Sequence, residues 1–106
     1  MKIIYHVGET IGAETVVQRG TLVEDGVYPY IQTANGKIEL TQLDAVEFFR
    51  LNGLGTMVQL RNANTTIYLA VPRIFINVGT GFAIINLLAT RKVKTMLANA
   101  MKQQAE

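Results

Sequence analysis

Polar and apolar residues alternate in short runs over most of the first seventy residues of the chain. The clearest run covers residues 37–40, where Ile38 and Leu40 fall on one side of an extended backbone and the charged residues fall on the other. The two residues at the start of this run, Asn35 and Gly36, tolerate positive φ and predict a tight hairpin turn. The pattern therefore predicts half-buried β-strands joined by hairpins.

Turn residues recur about every ten positions and divide this part of the chain into six predicted strands. The turns are predicted at residues 24–26, 35–36, 52–55 and 63–64. The strands are predicted at residues 15–23, 27–33, 37–40, 43–51, 57–62 and 65–71. Pro29 cannot donate a ladder hydrogen bond, so we expect it at a sheet edge or a bulge. Hairpins in series are typical of an antiparallel sandwich or a small barrel.

The end of the chain changes to helical spacing. Apolar residues recur there along one helix face, and basic or polar residues occupy the other side. The apolar set is Val93, Met96, Leu97, Ala100 and Met101. The sequence therefore predicts one amphipathic C-terminal helix.

The start of this helix has two candidate N-caps. Thr90 would place Arg91 and Lys92 in the first turn, where basic side chains oppose the helix dipole. Thr80 avoids that conflict and is the cleaner choice. Residues 82–89 are open to interpretation as strand or helix, and we expect a short buried helical entry into the main helix.

Composition narrows both the class of protein and its chemistry. With 106 residues, of which 49% are hydrophobic and 17% charged, the chain predicts a single folded domain over residues 1–106. It contains no Cys, Ser or Trp, and His6 is its one histidine. These counts exclude thiol and serine nucleophiles, disulfides and Cys/His zinc sites. We expect no cofactor and no enzymatic activity.

Hydrophobic runs in the chain are too short for a membrane-spanning helix, which needs roughly 18–20 apolar residues. The most hydrophobic part, residues 67–89, is interrupted by Pro72, Arg73 and Asn77. The N-terminal residues contain no apolar segment of signal-peptide length. The expectation is a soluble, cytoplasmic protein.

Charge is distributed unevenly along the chain. Residues 1–47 contain seven acids and three bases, whereas residues 48–106 contain seven bases and one acid. Such polarity is compatible with an anion-binding face or with head-to-tail self-association. We expect instead that the two halves interleave in space and neutralise each other.

Several short sequence segments and the order of the elements resemble small prokaryotic domains of the pleckstrin-homology-like (GRAM-like) type. The segments are Val7-Gly8-Glu9, the run 37–40 leading into 43–46, Gly53-Leu54-Gly55 before a strand, and the run 82–97. The resemblance implies a mainly β fold with a C-terminal α-helix. In that fold, six or seven antiparallel strands form a barrel of two bent sheets, capped by the helix.

The same resemblance implies a binding or assembly module instead of an enzyme. Its phosphoinositide-binding members carry Lys and Arg around the first hairpin turn. Here that turn is Glu24-Asp25-Gly26, and two carboxylates would repel an anionic headgroup. The resemblance therefore does not predict lipid-phosphate binding at this turn.

Two glycine pairs and one basic cluster are the remaining candidate sites. Gly53-Leu54-Gly55 and Gly79-Thr80-Gly81 lack the third glycine of a dinucleotide-binding loop, so turn geometry explains them better. The basic cluster lies near Tyr68 and Phe75 in sequence and would suit an acidic partner; the alternative is a solvated helix face. Its members are Arg73, Arg91, Lys92 and Lys94.

These features together predict a non-catalytic module that binds a protein or peptide, or assembles with itself, through a strand edge or a strand–helix groove. The alternative is an anion-binding module that contacts lipid phosphates or nucleic acid through the basic cluster. Nucleic acid is the less favoured of these partners, and peripheral membrane contact has little support. A mean hydropathy of +0.22 favours a homo-oligomer, because some apolar surface would then be covered between subunits.

Overall fold

The structure is a computed structural model, and it describes most of the chain. The described residues are 1–11, 17–24, 28–51, 55–62, 65–76 and 82–105. For residues 51, 74–76, 82–84 and 104–105 the description is limited to the backbone. These parts form nine strands and one helix.

Seven antiparallel strands form one curled, half-barrel sheet. In chain order they are β1 (Lys2–Val7), β2 (Gln18–Val23), β3 (Tyr30–Thr33), β4 (Gly36–Glu39), β5 (Leu43–Leu51), β6 (Gly55–Asn62) and β7 (Thr65–Ala70). Across the sheet the order is β4-β3-β2-β1-β7-β6-β5. A separate hairpin of β8 (Pro72–Ile76) and β9 (Phe82–Ile85) precedes the helix α1 (Leu87–Ala105). The predicted fold class, mainly β with a C-terminal helix, is confirmed.

The sheet curls because a short connection joins its two outermost strands. β4 and β5 lie at opposite edges of the sheet, yet only residues 40–42 separate them in the chain. Gln42 takes a positive φ of 54° there, and Leu40 and Leu43 on either side of it are buried. The seven strands thus form one continuous sheet, whereas the resemblance implies two bent sheets.

The inner face of the curl holds the larger hydrophobic core. Strand alternation places every second residue of each strand on this face, and the helix contributes Val93 and Leu97. Thirteen buried residues form the cluster: Ile3, Tyr5, Leu22, Ile31, Leu40, Leu43, Val46, Val58, Leu60, Ile67, Leu69, Val93 and Leu97. The prediction that Ile38 and Leu40 share the core-facing side is confirmed, since Ile38 packs against this cluster.

The outer face of the sheet is covered over only part of its width. Buried residues on this face come from β1, β6 and β7, namely Ile4, Met57, Tyr68 and Ala70. The side chains packed against them are Ile11, Val17, Phe49 and Ile85. On β2, β3 and β4 the outer positions are exposed and mostly polar, as at Thr21, Gln32 and Lys37. The sheet is therefore covered on both faces around these buried residues of β1, β6 and β7, and on its inner face alone at β2, β3 and β4.

The start of the helix differs from the prediction. Residues 82–85 form the strand β9, so the expected helical entry is wrong. The helix begins at Leu87, and Asn86 caps it: its Oδ1 accepts a hydrogen bond from the Ala89 N–H at 3.2 Å. This start places Arg91 and Lys92 beyond the first turn. Thr80 lies outside the described residues.

Thr90 has a structural role inside the helix instead of capping it. Its side chain is fully buried, and its hydroxyl accepts a hydrogen bond from the Val71 N–H at 3.1 Å. The Val71 carbonyl in turn accepts from the Asn86 N–H at 2.8 Å. Two hydrogen bonds therefore fix the segment between β7 and β8 to the start of α1.

The predicted turns are accounted for in part. Gly36 follows Asn35 with a φ of 134°, which confirms the hairpin between β3 and β4. Residues 25–27, 52–54, 63–64 and 77–81, which hold most of the other predicted turns and Gly79-Thr80-Gly81, lie outside the described residues. Pro29 is buried directly before β3 and its carbonyl accepts from the Leu40 N–H. It therefore lies outside the ladder, and the strand it precedes is an inner one.

The strand order separates the two halves of the sequence. Strands from residues 2–39 form one half of the sheet, and strands from residues 43–70 form the other. Helix α1 packs on β5 and β6, so its basic residues belong to the second half. The expected interleaving of the two halves is therefore not found in the strand order, although Glu24 of the first half lies across a cleft from Lys92 of the second. The bases of α1, β5 and β6 lie at one end of the sheet, and Arg73 lies apart from them in β8.

Candidate functional site

The four bases of the predicted cluster occupy different places. Arg73 is exposed in β8, and the other three lie on α1. Because a helix turns about 100° per residue, Lys92 and Lys94 lie on different sides of α1. Lys92 lines a cleft with Glu24 and Pro29, whereas the Lys94 Nζ lies 5.4 Å from the ring centroid of Phe48 in β5.

Of the two aromatic residues that lie near this cluster in sequence, Tyr68 does not accompany it in the structure. Tyr68 is 2% exposed and lies under the outer-face covering. Its hydroxyl donates to the Glu9 carbonyl at 3.0 Å and accepts from the Gln59 Nε2 at 3.1 Å. The side chain of Phe75 lies outside the described part. Tyr68 is thus a structural residue and not a stacking platform.

The aromatic residue that does accompany a base is Phe48. It is 47% exposed, which is unusual for so large an apolar side chain in a strand. Phe48 is not among the site residues predicted from the sequence, although two adjacent phenylalanines in one strand must face opposite sides of the sheet. Phe49 takes the covered outer face, where its ring contacts Tyr68 edge-on at 5.1 Å, and Phe48 takes the face that carries α1.

Further basic and apolar side chains surround Phe48. Arg50 is exposed two residues further along β5, on the same side of the strand. On the helix, Leu87, Arg91 and Lys94 follow one another at i, i+4 and i+7, so they share the side that faces β5. Leu87 is 43% exposed. We call these five residues, Phe48, Arg50, Leu87, Arg91 and Lys94, the β5–α1 surface.

An open sheet edge borders the β5–α1 surface. Residues 45–51 of β5 pair with β6 on one side. On the other side, within the part of the chain that the structure describes, no strand is hydrogen-bonded to them. Backbone N–H and C=O groups of alternate residues face outward along such an edge. We call residues 45–51 the β5 edge.

Two clefts lie elsewhere on the molecule. One, of about 440 Å³, separates α1 from the ends of β2 and β3 and contains Glu24 opposite Lys92. The other, of about 460 Å³, lies on the outer face of β1, β2 and β3 and is lined by Lys2 and Arg19 among others. Of the four predicted bases, Lys92 alone lines either of these two clefts.

Polar groups of the described residues serve the fold. Among them, no three His, Asp or Glu side chains come together in a group that could hold a metal ion. His6 stacks on Tyr68 with ring centroids 6.5 Å apart. Every buried side-chain nitrogen or oxygen in the described ranges has a hydrogen-bond partner.

Comparisons with known proteins find no relative of this chain. Within the described residues, no helix is both long enough and apolar enough to cross a membrane. The prediction of a pleckstrin-homology-like family therefore depends only on the short sequence segments and on the order of the elements. No family model, curated protein or solved structure matches this chain.

Proposed function

We propose that the chain is a non-catalytic binding module that holds an extended, acidic segment of a partner protein along the β5 edge. The observation that carries this proposal is the pairing of β5, the longest strand, with a neighbour on one side only within the described residues. A strand of a partner can complete the sheet there through backbone hydrogen bonds. Alternate side chains of that strand then face the β5–α1 surface.

The length of the β5 edge suits this mode of binding. Seven residues span about 24 Å at ~3.4 Å per residue, which accommodates a partner strand of ordinary length. The opposite edge of the sheet, β4, has four residues and carries the exposed charges of Lys37 and Glu39. Short, charged edges resist pairing with another chain. The two edges thus differ in their capacity to accept a strand.

Charge favours an acidic partner. Arg50 lies in the β5 edge and Lys94 contacts Phe48 of that edge, and Arg91 shares the side of α1 that carries Lys94. Glu47 points to the opposite face of the strand from Phe48. A second copy paired about a twofold axis at Phe48 would bring two Lys94 ammonium groups to that axis, where they repel each other. An acidic strand instead places opposite charges beside the same groups. An apolar side chain of the partner would cover Phe48 and Leu87.

The experiment uses two labelled peptides of about twelve residues, one that repeats Val-Val-Glu-Glu and one that repeats Val-Val-Lys-Lys, so that each face of the strand carries both valine and charged side chains. Fluorescence anisotropy should detect binding of the glutamate peptide and much weaker binding of the lysine peptide. Phe48→Ala and Lys94→Gln should each weaken binding about fivefold or more. Lys92→Gln removes the same charge on another side of α1 and should change affinity less than twofold.

Two results would contradict the proposal. Equal affinity for both peptides would mean that the β5–α1 surface does not select charge. Equal effects of Lys94→Gln and Lys92→Gln would mean that binding occurs elsewhere or is diffuse. Sedimentation at high micromolar concentration separates self-association, because a dimer lost in Phe48→Ala would assign the β5 edge to a second copy of this 11.7 kDa chain.

The other sequence-based expectations stay predictions: a pleckstrin-homology-like family, a cytoplasmic location and the lack of catalytic activity. The alternative of a phosphate-binding module that uses Arg73, Arg91, Lys92 and Lys94 together has less support, because Lys92 and Lys94 face different sides of α1. Salt screens both kinds of binding, so variants distinguish the two functions. Arg73→Gln and Lys92→Gln should each weaken phosphate binding and leave binding of the glutamate peptide unchanged.

A further inference from the structure

The uncovered half of the outer sheet face contains a cleft that the proposed function does not use. It lies over β1, β2 and β3 and has a volume of about 460 Å³, within the size range of small-molecule sites. The segment that begins β8 forms one wall through Pro72. Val71, directly before Pro72, is fixed to α1 by hydrogen bonds of both its backbone groups. The wall is therefore held in place.

The strand register explains which side chains line this cleft. Lys2 in β1 lies directly opposite Thr21 in β2, and Thr21 lies opposite Gln32 in β3. Arg19 is opposite Ile4, which makes it the diagonal neighbour of Lys2. All five side chains are therefore on the outer face, next to one another.

The lining combines positive charge, neutral hydrogen-bonding groups and an apolar floor. Among the described residues that line the cleft, Lys2 and Arg19 are basic and none is acidic. Thr21 and Gln32 add a hydroxyl and an amide. Ile4, which is 2% exposed, provides the floor, and Pro72 provides an apolar wall. A ligand that satisfies this lining has an anionic group at one end and an apolar body at the other.

We infer that this cleft binds a small organic anion, with its phosphate, sulfonate or carboxylate group at Lys2 and its apolar body against Ile4 and Pro72. The site lies on the opposite face of the sheet from the β5–α1 surface. Its ligand is therefore bound independently of a partner strand on the β5 edge.

Phenyl phosphate tests the inference, because it combines a phosphate with one apolar ring. Titration into the ¹⁵N-labelled chain should shift the amide resonances of Lys2, Ile4, Thr21 and Gln32 in NMR spectra. Inorganic phosphate has the charge without the ring, and benzyl alcohol has the ring without the charge. Each should bind at least about tenfold more weakly than phenyl phosphate.

The chain offers a matched control for the variant Lys2→Gln. Lys37 occupies the same cross-strand row, opposite Gln32, but its Nζ lies over the Tyr30 ring at 4.5 Å and it does not line the cleft. Lys2→Gln should weaken phenyl phosphate binding about fivefold, and Lys37→Gln should change it less than twofold. Lys94→Gln, which tests the β5–α1 surface, should leave it unchanged.

Three results would overturn the inference. They are shifts confined to amides outside the cleft, equal weakening by Lys2→Gln and Lys37→Gln, and equal affinity for phenyl phosphate and inorganic phosphate. Both lysines are exposed, so neither variant is expected to unfold the chain. Unchanged amide positions elsewhere in the spectra of the two variants would verify that the fold is kept.

Discussion

The two halves of the sheet differ in how many of their faces are buried. β7 is covered on both faces, since residues 67–70 are all 2% exposed or less. In β2 and β3 buried residues such as Leu22 and Ile31 alternate with exposed ones such as Thr21 and Gln32. The same sheet thus has a central part that is covered on both faces and, at β2 and β3, an outer face that is accessible to a ligand.

Each half also ends in a different kind of edge. On the accessible half the edge is the four-residue β4, and on the covered half it is β5, with a register shift between Leu43 and Ala45. Such a bulge twists one end of a strand and discourages pairing there. The remaining residues 45–51 stay regular against β6. The half with the accessible outer face therefore ends in an edge that resists pairing, and the covered half ends in an edge that can accept a strand.

The largest expected effect compares two outer-face residues, one from each half. Tyr68→Ala removes a buried ring, its edge contact with Phe49 and two hydrogen bonds. It should lower the free energy of unfolding by about 3–5 kcal/mol. Thr21→Ala on the accessible half should stay within about 0.5 kcal/mol of the wild type. Urea denaturation measures both, and similar losses would mean that the outer face of β2 is buried too.

A second prediction tests whether the accessible half is closely packed on its inner face. A Cβ added at Gly20 would lie 2.8 Å from the Ile31 Cγ2 and 3.0 Å from the Tyr5 Cε1. Gly20→Ala should therefore cost about 1–3 kcal/mol of unfolding free energy. Ile31→Leu removes the β-branched methyl group and should recover part of that loss in the double variant.

Gly36 provides the contrasting glycine for this experiment. Nothing lies within 4 Å of a Cβ added there, but its φ of 134° is unfavourable for other residues. Gly36→Ala should cost about 1 kcal/mol through backbone strain, and Ile31→Leu should not relieve it. Relief of both variants by Ile31→Leu would contradict the packing explanation.

A third comparison is between two threonine hydroxyls, one buried and one exposed. Thr90→Val leaves the Val71 N–H without its partner in the buried contact with α1 and should cost about 1–3 kcal/mol. Thr33 makes similar local hydrogen bonds in the exposed β3–β4 turn, where water can replace the hydroxyl. Thr33→Val should cost less than about 1 kcal/mol by thermal or urea unfolding. Equal losses would mean that burial does not set the cost.

The difference between the halves also explains which strands the sequence predicts. In the strands of the accessible half, apolar and polar residues alternate, so the sequence pattern predicts β3 and β4. β1 contains the uninterrupted run Ile3-Ile4-Tyr5 because both its faces are buried, and the pattern of alternation misses it. The run 82–85 is apolar throughout, so periodicity could not separate strand from helix there.

The candidate site was predicted less completely than the fold. Sequence neighbours such as Lys92 and Lys94 diverge because helix rotation separates their side chains, and this depends on where α1 packs. Phe48 meets Lys94 through a contact between elements that lie far apart in the chain. The alternation of β5 can predict that Phe48 and Phe49 face opposite sides. Which of those two sides carries α1 depends on tertiary packing.

Hydrogen exchange of the backbone amides tests the central claim most directly. The glutamate peptide described above is added at saturating concentration, and exchange is compared between the β5 edge, residues 45–51, and the β4 edge, residues 36–39. The account predicts slower exchange at the outward-facing amides of the β5 edge and unchanged exchange in β4. Protection of β4, or saturable binding with no protection of residues 45–51, would contradict it.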